Sequence, residues 1–367
     1  MSELPVTRAV STVVIDLDAM DRNLEQMKRK ARTNQVLAVV KANAYGHGAI
    51  EVARWLEGKV AGFAVATVDE GVQLRNGGVQ SPILVFGPPC RSNRGAYTEY
   101  RLMATVSHLD HFEQLPAGTS YHINLDTGMR RLGICPEELA TLKEQIARFS
   151  ELQCAGIYSH YATADEPESV RVFEQYEQFK SVRSKLALKV PFHMSNTAAV
   201  MHYDSIDHFD MIRVGIGLAG FTPGRTQHEA LEPVMCWKTT VAQVRPVQKR
   251  EPVSYGGTWK APQDGYLLTL PVGYADGLPR SLSNKLRVTV NGVSFPSVGN
   301  ITMDYTMLYS ESEGVQAGDE VHLMGGTGWR ANRIAEQSGS ITHEILCRLG
   351  SRIQRKYRAE GRQKNES

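Results

Sequence analysis

The stretch Val39-Val40-Lys41-Ala42-Asn43-Ala44-Tyr45-Gly46-His47-Gly48 decides how the rest of the chain is read. Leu37 to Val40 form a short apolar run of the kind a buried strand presents. That run stops on a lysine followed by small residues, a tyrosine and two glycines. At the mouth of a parallel strand a lysine amine can be desolvated enough to lower its pKa, which is the condition for Schiff-base chemistry with a carbonyl. Taken alone, Lys41 is more simply a lysine that lays its stem along apolar surface and keeps its charge in water.

Outward from this stretch the pattern is regular. Residues 12–17 (Thr12-Val13-Val14-Ile15-Asp16-Leu17) read as a strand, Asp18 as an N-cap, and Met20, Leu24, Met27 and Ala31 as the inner face of a helix over 19–32. Short apolar strands follow near 36–41, 61–66, 82–86, 102–106, 120–125, 153–159, 190–194 and 209–214. Helical patterns at 67–76, 137–149 and 168–187 lie between several of them. Eight strands with intervening helices predict an α/β fold closed as a (β/α)8 TIM barrel, although periodicity alone leaves an open sheet possible.

Barrel enzymes place their chemistry at the C-terminal ends of strands. Polar loops stand at those positions here: Lys41, then Asp126-Thr127-Gly128-Met129-Arg130-Arg131, Ser159-His160-Tyr161-Ala162-Thr163-Ala164, Ser195-Asn196-Thr197-Ala198 and Arg213-Val214-Gly215-Ile216-Gly217. Each has a plain structural explanation, His160 as a satisfied core histidine and Arg213 as a salt-bridge partner. Five in register point to one shared rim.

Beyond about residue 230 the character changes. Val234 to Val247 alternates, and Arg287-Val288-Thr289-Val290 and Val293-Ser294-Phe295 flank Asn291-Gly292, which predicts a type I′ hairpin turn. Strands over 301–310 and 319–324, helices near 331–338 and 341–349 and a charged, frayed tail complete a mainly-β domain. The expected division is 12–230 for the barrel and 231–367 for the β domain, with residues 1–11 associated with the latter.

Composition narrows the functional classes. With 367 residues, 42% hydrophobic and 22% charged, the chain can bury a full core and exceeds one average domain. A net charge of +2 and the lack of a basic tract interleaved with aromatics argue against nucleic acid. Met1 to Val10 lack an apolar signal core and no run approaches the roughly 18 apolar residues that would span a bilayer, so the expected location is the cytosol, away from membrane. Cys90, Cys135, Cys154, Cys236 and Cys347 form no CxxC pair, and are expected to be reduced, mostly buried thiols with no metal site.

The string VVKANAYGHG resembles the pyridoxal phosphate segment of the alanine racemase family, and the other rim loops resemble that family's remaining segments. The resemblance implies pyridoxal 5′-phosphate held by Lys41 in Schiff-base linkage. Tyr45, Thr197, Gly215 and Ile216 would be at the phosphate, Asn196 among the cofactor-binding residues and Arg213 at the pyridine nitrogen. It implies Arg131 beside the substrate carboxylate, and His160 linking Arg213 to a second base. Val253-Ser254-Tyr255-Gly256-Gly257-Thr258 would carry that base, Tyr255. Pro271-Val272-Gly273-Tyr274-Ala275-Asp276-Gly277 would lie near the entrance, and Met303-Asp304 at the substrate carboxylate. The implied activity is racemisation of alanine by two bases, Lys41 and Tyr255, in a homodimer with shared active sites.

Three positions depart from the family pattern. Asn124 replaces a frequent modified lysine that orients Arg131, so the negative group there must be missing or supplied otherwise, by a bound anion for example. Ser351 replaces a tyrosine that narrows the pocket, and Ala219 replaces a frequent aromatic. These keep serine or broad-specificity racemisation open beside alanine. A pyridoxal phosphate carrier without turnover is a further alternative that leaves the second domain and Tyr255 without a role. A related decarboxylase would place an acidic residue where Arg213 stands.

Overall fold

A computed structural model describes residues 11–224 and 230–360. Among these, Met20–Glu232 forms one compact unit, and residues 11–19 with 233–360 form the other.

The first strand, β1 (Ser11–Asp16), belongs to the second unit, so the expected start of the barrel unit at residue 12 shifts to residue 20 and its end from 230 to 232. The local pattern of β1 is that of any half-buried strand, and only its partners, far along the chain, assign it. Residues 1–10, expected with the β domain, lie outside the described residues. The helix Leu17–Ala31 begins two residues earlier than its pattern suggested, because Asp16 rather than Asp18 caps it by accepting from the Ala19 amide at 2.9 Å. Asp18 instead accepts from the Glu360 amide at 2.7 Å.

The barrel unit contains β2 (Val36–Val39), β3 (Gly62–Val65), β4 (Ile83–Val85), β5 (Ala104–Val106), β6 (Ser120–Asn124), β7 (Gln153–Tyr158), β8 (Phe192–His193) and β9 (Ile212–Val214). Hydrogen bonding runs β4-β3-β2-β9 and β5-β6-β7-β8, every pairing parallel. Parallel bridges Leu84↔Met103 and His193↔Met211 join the two arcs, so the ring closes and the open-sheet alternative falls. Strands covered on both faces must be apolar throughout, which is why β2 and β3 are buried along their whole length. Phe63 is fully buried, and truncating it to alanine would cost about 3–5 kcal/mol.

The second unit holds β1 and β10 (Met235–Thr240), β11 (Gln243–Val247), β12 (Pro252–Val253), β13 (Trp259–Lys260), β14 (Gly265–Leu270), β15 (Arg287–Val290), β16 (Val293–Val298), β17 (Thr306–Ser310), β18 (Glu320–Met324) and β19 (Gln354–Arg358). The order of its main sheet is β11-β14-β17-β16-β15-β18-β10-β1-β19. Asn291 and Gly292 both have positive φ (49° and 81°) and Val290 pairs with Val293, as a type I′ turn requires. Residues 354–358, expected as frayed tail, form the edge strand β19 parallel to β1, and Arg358 bridges Asp16 at 2.6 Å. An edge strand with alternate residues in solvent can be built from Gln-Arg-Lys-Tyr-Arg, and such composition conceals it. No disulfide joins the five cysteines, and none is fully buried. Cys90 and Cys347 are exposed, Cys347 because Ile345 and Leu346 take the inward positions of its helix.

Candidate active site

Lys41 follows β2 after one residue, Val40, whose amide is still bonded to the Ala64 carbonyl of β3 at 2.9 Å. The chain then turns left-handed: Ala42, Asn43, Ala44 and Tyr45 all have φ between 51° and 54°. An L-residue there costs about 1–2 kcal/mol, so four in succession persist only where the surroundings over-determine them. Ala44 N bonds Val40 O at 2.8 Å, Gly46 N bonds Ala42 O at 3.0 Å, and Asn43 Oδ1 accepts from Ala49 N at 2.9 Å. His47 Nδ1 lies 3.0 and 2.9 Å from the Ala44 and Tyr45 carbonyls, so this nitrogen carries the hydrogen. The turn folds the Tyr45 ring over Gly215. A Cβ at 215 would lie 2.8 Å from Tyr45 Cζ and closer still to its hydroxyl, so any side chain there would have to push the Tyr45 ring aside. Thr197 Oγ1 accepts from the Gly217 amide at 3.2 Å, which brings Thr197, the Gly215-Ile216-Gly217 turn and Tyr45 to one place. Asn196 has a structural duty, capping the helix Thr197–His202 through the Ala199 amide.

Arg213, on β9, is buried without a carboxylate. Its Nη1 reaches His193 Nδ1 and the His193 carbonyl, both at 3.0 Å. Its Nη2 reaches the Ser159 carbonyl at 2.7 Å and the Met194 carbonyl and His160 Nδ1, both at 3.1 Å. Nε takes part in none of these bonds. Tyr158 presents its ring 5.2 Å from the guanidinium carbon. Burial pulls the Arg213 pKa down to about 10, and Arg131 adds to the fall. A guanidinium only donates, so His160 and His193 must each offer a bare Nδ1. His193 Nε2–H then donates to His122 Nδ1 at 2.9 Å, and Gly156 makes room, since a Cβ there would lie 2.6 Å from His122 Nδ1. Burial, with Arg213, lowers the His122 pKa to about 4, and burial holds His193 and His160 well below the usual range as well. For His160 the cations of Arg213, Arg131 and Lys41 contribute to the fall.

Arg131 sits on the loop after β6, shaped by Asp126, whose Oδ1 accepts from Gly128 N at 2.9 Å and Arg130 N at 3.0 Å. Asn124 donates to the Leu132 carbonyl at 3.2 Å, gripping the backbone next to Arg131. Ala219 is buried.

In the β unit Tyr255 stands at a short turn after β12 and is 75% exposed. Its carbonyl accepts from Asn300 Nδ2 at 2.7 Å, while Ser254 Oγ donates to the Asn300 carbonyl at 2.8 Å. Tyr274 N bonds Thr302 O and Ala275 N bonds Met303 O, both at 3.0 Å. Arg352 joins the same cluster through Asp276 at 3.1 Å and Asp304 at 2.8 Å, so the Asp304 carboxylate is already engaged. Tyr255, Tyr274, Met303 and Asp304 therefore form one cluster, with Ser351 exposed beside Arg352. Among the described residues no group of His, Cys, Asp or Glu is arranged to hold a metal, and no helix is long and apolar enough to cross a membrane.

The model of the alanine racemase N-terminal domain matches residues 15–223, and that of the alanine racemase C-terminal domain matches residues 234–357. The chain belongs to the alanine racemase family. It is 37% identical to the alanine racemase of Halothermothrix orenii, covering 94% of this chain and 96% of that one, and 37% identical to alanine racemase 2 of Bacillus subtilis, covering 95% of each. Among solved structures it is similar to the Bacillus anthracis alanine racemase with bound L-Ala-P, at a TM-score of 0.90 and 32% identity over 98% and 97% of the two chains. It is also similar to the Bartonella henselae alanine racemase with covalently bound pyridoxal phosphate, at a TM-score of 0.87 and 28% identity over 96% and 100%.

In this alanine racemase family member several residues that shape the site were not legible in advance. Tyr158, His193, His122 and Arg352 act through neighbours distant in sequence, and no local spacing marks them. Glu70 was detectable only as the fourth member of the capping-box string Thr67-Val68-Asp69-Glu70.

Proposed function

We propose that the chain interconverts L- and D-alanine with pyridoxal 5′-phosphate on Lys41. The observation that carries the reading is Arg213, a cation buried among neutral acceptors with Nε uncommitted. The site fits the cofactor: the absence of a side chain at Gly215 lets the Tyr45 hydroxyl come close to the Gly215-Ile216-Gly217 turn beside Thr197, and these residues and the Gly215-Ile216 amides would hold its phosphate. In Schiff-base linkage to an amino acid, the cofactor draws electrons from Cα and acidifies the α-proton. Arg213 cannot readily surrender a proton to the ring nitrogen, which tempers that withdrawal and favours return of the proton to Cα.

Racemisation needs a base on each face of Cα. Lys41 Nζ serves one. Tyr255 serves the other, supplied by a second copy in a homodimer with shared sites. Four exposed apolar side chains of the β unit, Tyr255, Tyr274, Met303 and Tyr305, support that assembly. His160, its Nδ1 bonded to Arg213, carries its hydrogen on Nε2 and can donate to the Tyr255 oxygen, stabilising the phenolate. Arg131 would bind the substrate carboxylate, with Met303 and Asp304 at its far side and Tyr274 near the entrance. Five cysteines spread along the chain with none in a disulfide support action in the cytosol.

Serine or a larger amino acid is the second reading, favoured by the small, exposed Ser351. The purified protein should be yellow, and a panel of L-amino acids followed for chirality and carbon dioxide should show D-alanine and no decarboxylation. Borohydride should place a pyridoxyl label on the peptide containing Lys41, and Lys41→Ala should abolish it. A label on another lysine would remove the basis of the proposal.

A further inference from the structure

The left-handed turn after Lys41 is held at its near end by a residue from the next β/α unit. Glu70 Oε1 accepts from Ala42 N at 2.7 Å, and Oε2 accepts from Ala66 N at 2.7 Å and Thr67 N at 3.3 Å. The Ala42 N–H belongs to the peptide plane that begins at the Lys41 carbonyl, so Glu70 fixes the orientation of the plane one bond from the Lys41 Cα. Its second oxygen ties that plane to the end of β3 and to the first turn of the helix Val68–Asn76.

Capping that helix accounts for the reciprocal bonds with Thr67 and leaves the bond to Ala42 unexplained. Three N–H donors on two oxygens is an arrangement that a carboxylate satisfies and a carboxamide does not, because one end of a carboxamide is itself a donor. A backbone in four consecutive left-handed conformations relaxes unless held, and the far end is already gripped by His47 and Asn43.

We propose that Glu70 is a positioning residue for the reaction: its carboxylate holds the left-handed turn and so sets where the Lys41 amine and the Tyr45 hydroxyl point. The inference rests on the reading of Lys41 as the cofactor lysine, yet its structural half can be measured without cofactor. Glu70→Gln keeps length and shape and loses one acceptor. Thr67→Ala breaks the capping box and leaves the Glu70–Ala42 bond in place.

Amide hydrogen exchange of the cofactor-free protein should show residues 41–48 exchanging about tenfold faster in Glu70→Gln, the factor expected for a lost charge-assisted bond, with the rest of the barrel unchanged. Thr67→Ala should instead speed exchange at the start of the helix 68–76 alone. In the loaded enzyme Glu70→Gln should lower kcat about tenfold with little change in KM, and the pyridoxyl label should remain on Lys41. Unchanged exchange over 41–48 in Glu70→Gln, or the same acceleration in Thr67→Ala, would overturn the proposal. A wild-type label elsewhere than Lys41 would overturn the cofactor reading, while the exchange comparison would still judge the hold on the turn.

Discussion

Arg213 Nη2 lies 3.1 Å from His160 Nδ1, and because a guanidinium has no lone pair to offer, this contact decides which imidazole nitrogen bears hydrogen. Arg213→Lys keeps a charge but cannot span His193, His160 and three backbone carbonyls together. We expect a loss of about 2 kcal/mol in urea unfolding and a kcat lower by roughly ten- to a hundredfold. A variant with unchanged kcat would show that the fork geometry has no part in turnover.

Stability should depend on pH through the buried histidines. His122 has a folded pKa of about 4 against about 6.5 when unfolded, so the unfolded chain binds the proton more tightly and stability falls as pH drops between those values. The gap is worth about 3 kcal/mol, and His193 and His160, shifted in the same direction, steepen the fall. Urea titrations at several pH values should show this slope, and His122→Asn should flatten it. An identical slope in that variant would assign the acid sensitivity elsewhere.

Substrate range should turn on Ser351. If it lines the pocket, Ser351→Tyr removes volume near the substrate Cβ and should lower kcat/KM for serine or larger amino acids more than for alanine. An unchanged ratio would place the residue outside the pocket.

Shared sites predict complementation. Lys41→Ala and Tyr255→Phe chains, each nearly inactive, should recover roughly a quarter of wild-type activity when mixed, because about half of randomly reassorted dimers are mixed and each holds one site with both bases. If Tyr255 serves its own chain, mixing restores nothing.

The barrel was legible because its strands are buried on both faces, and an unbroken apolar run ending in polar residues is visible without partners, as Val36–Val39 before Lys41 shows. The rim loops were legible because glycines and lone polar residues interrupt those runs. What stayed hidden depends on pairing across long separations. β1 fell within the residues assigned to the barrel, and only its pairing, Val13 opposite Trp237 and Arg355, moves it to the β unit, while β19 looked like tail because edge strands need no apolar alternation. Four left-handed residues after Lys41 were equally hidden, since of Ala-Asn-Ala-Tyr only the asparagine visits that conformation readily, and then as a single residue. Nor did Asn124 announce its bond to the Leu132 carbonyl.

The place of β1 also sets an order of events during synthesis. Its neighbours in the sheet are Met235–Thr240 and Gln354–Arg358, so Ser11–Asp16 leaves the ribosome long before either partner exists. The barrel segment between them has its own core and can close first, domains being able to fold in turn as they emerge. Until Met235–Thr240 and Gln354–Arg358 have been made, Val13 and Ile15 remain apolar surface without the sheet that covers them, and this short segment is where a nascent chain would most need shielding from aggregation.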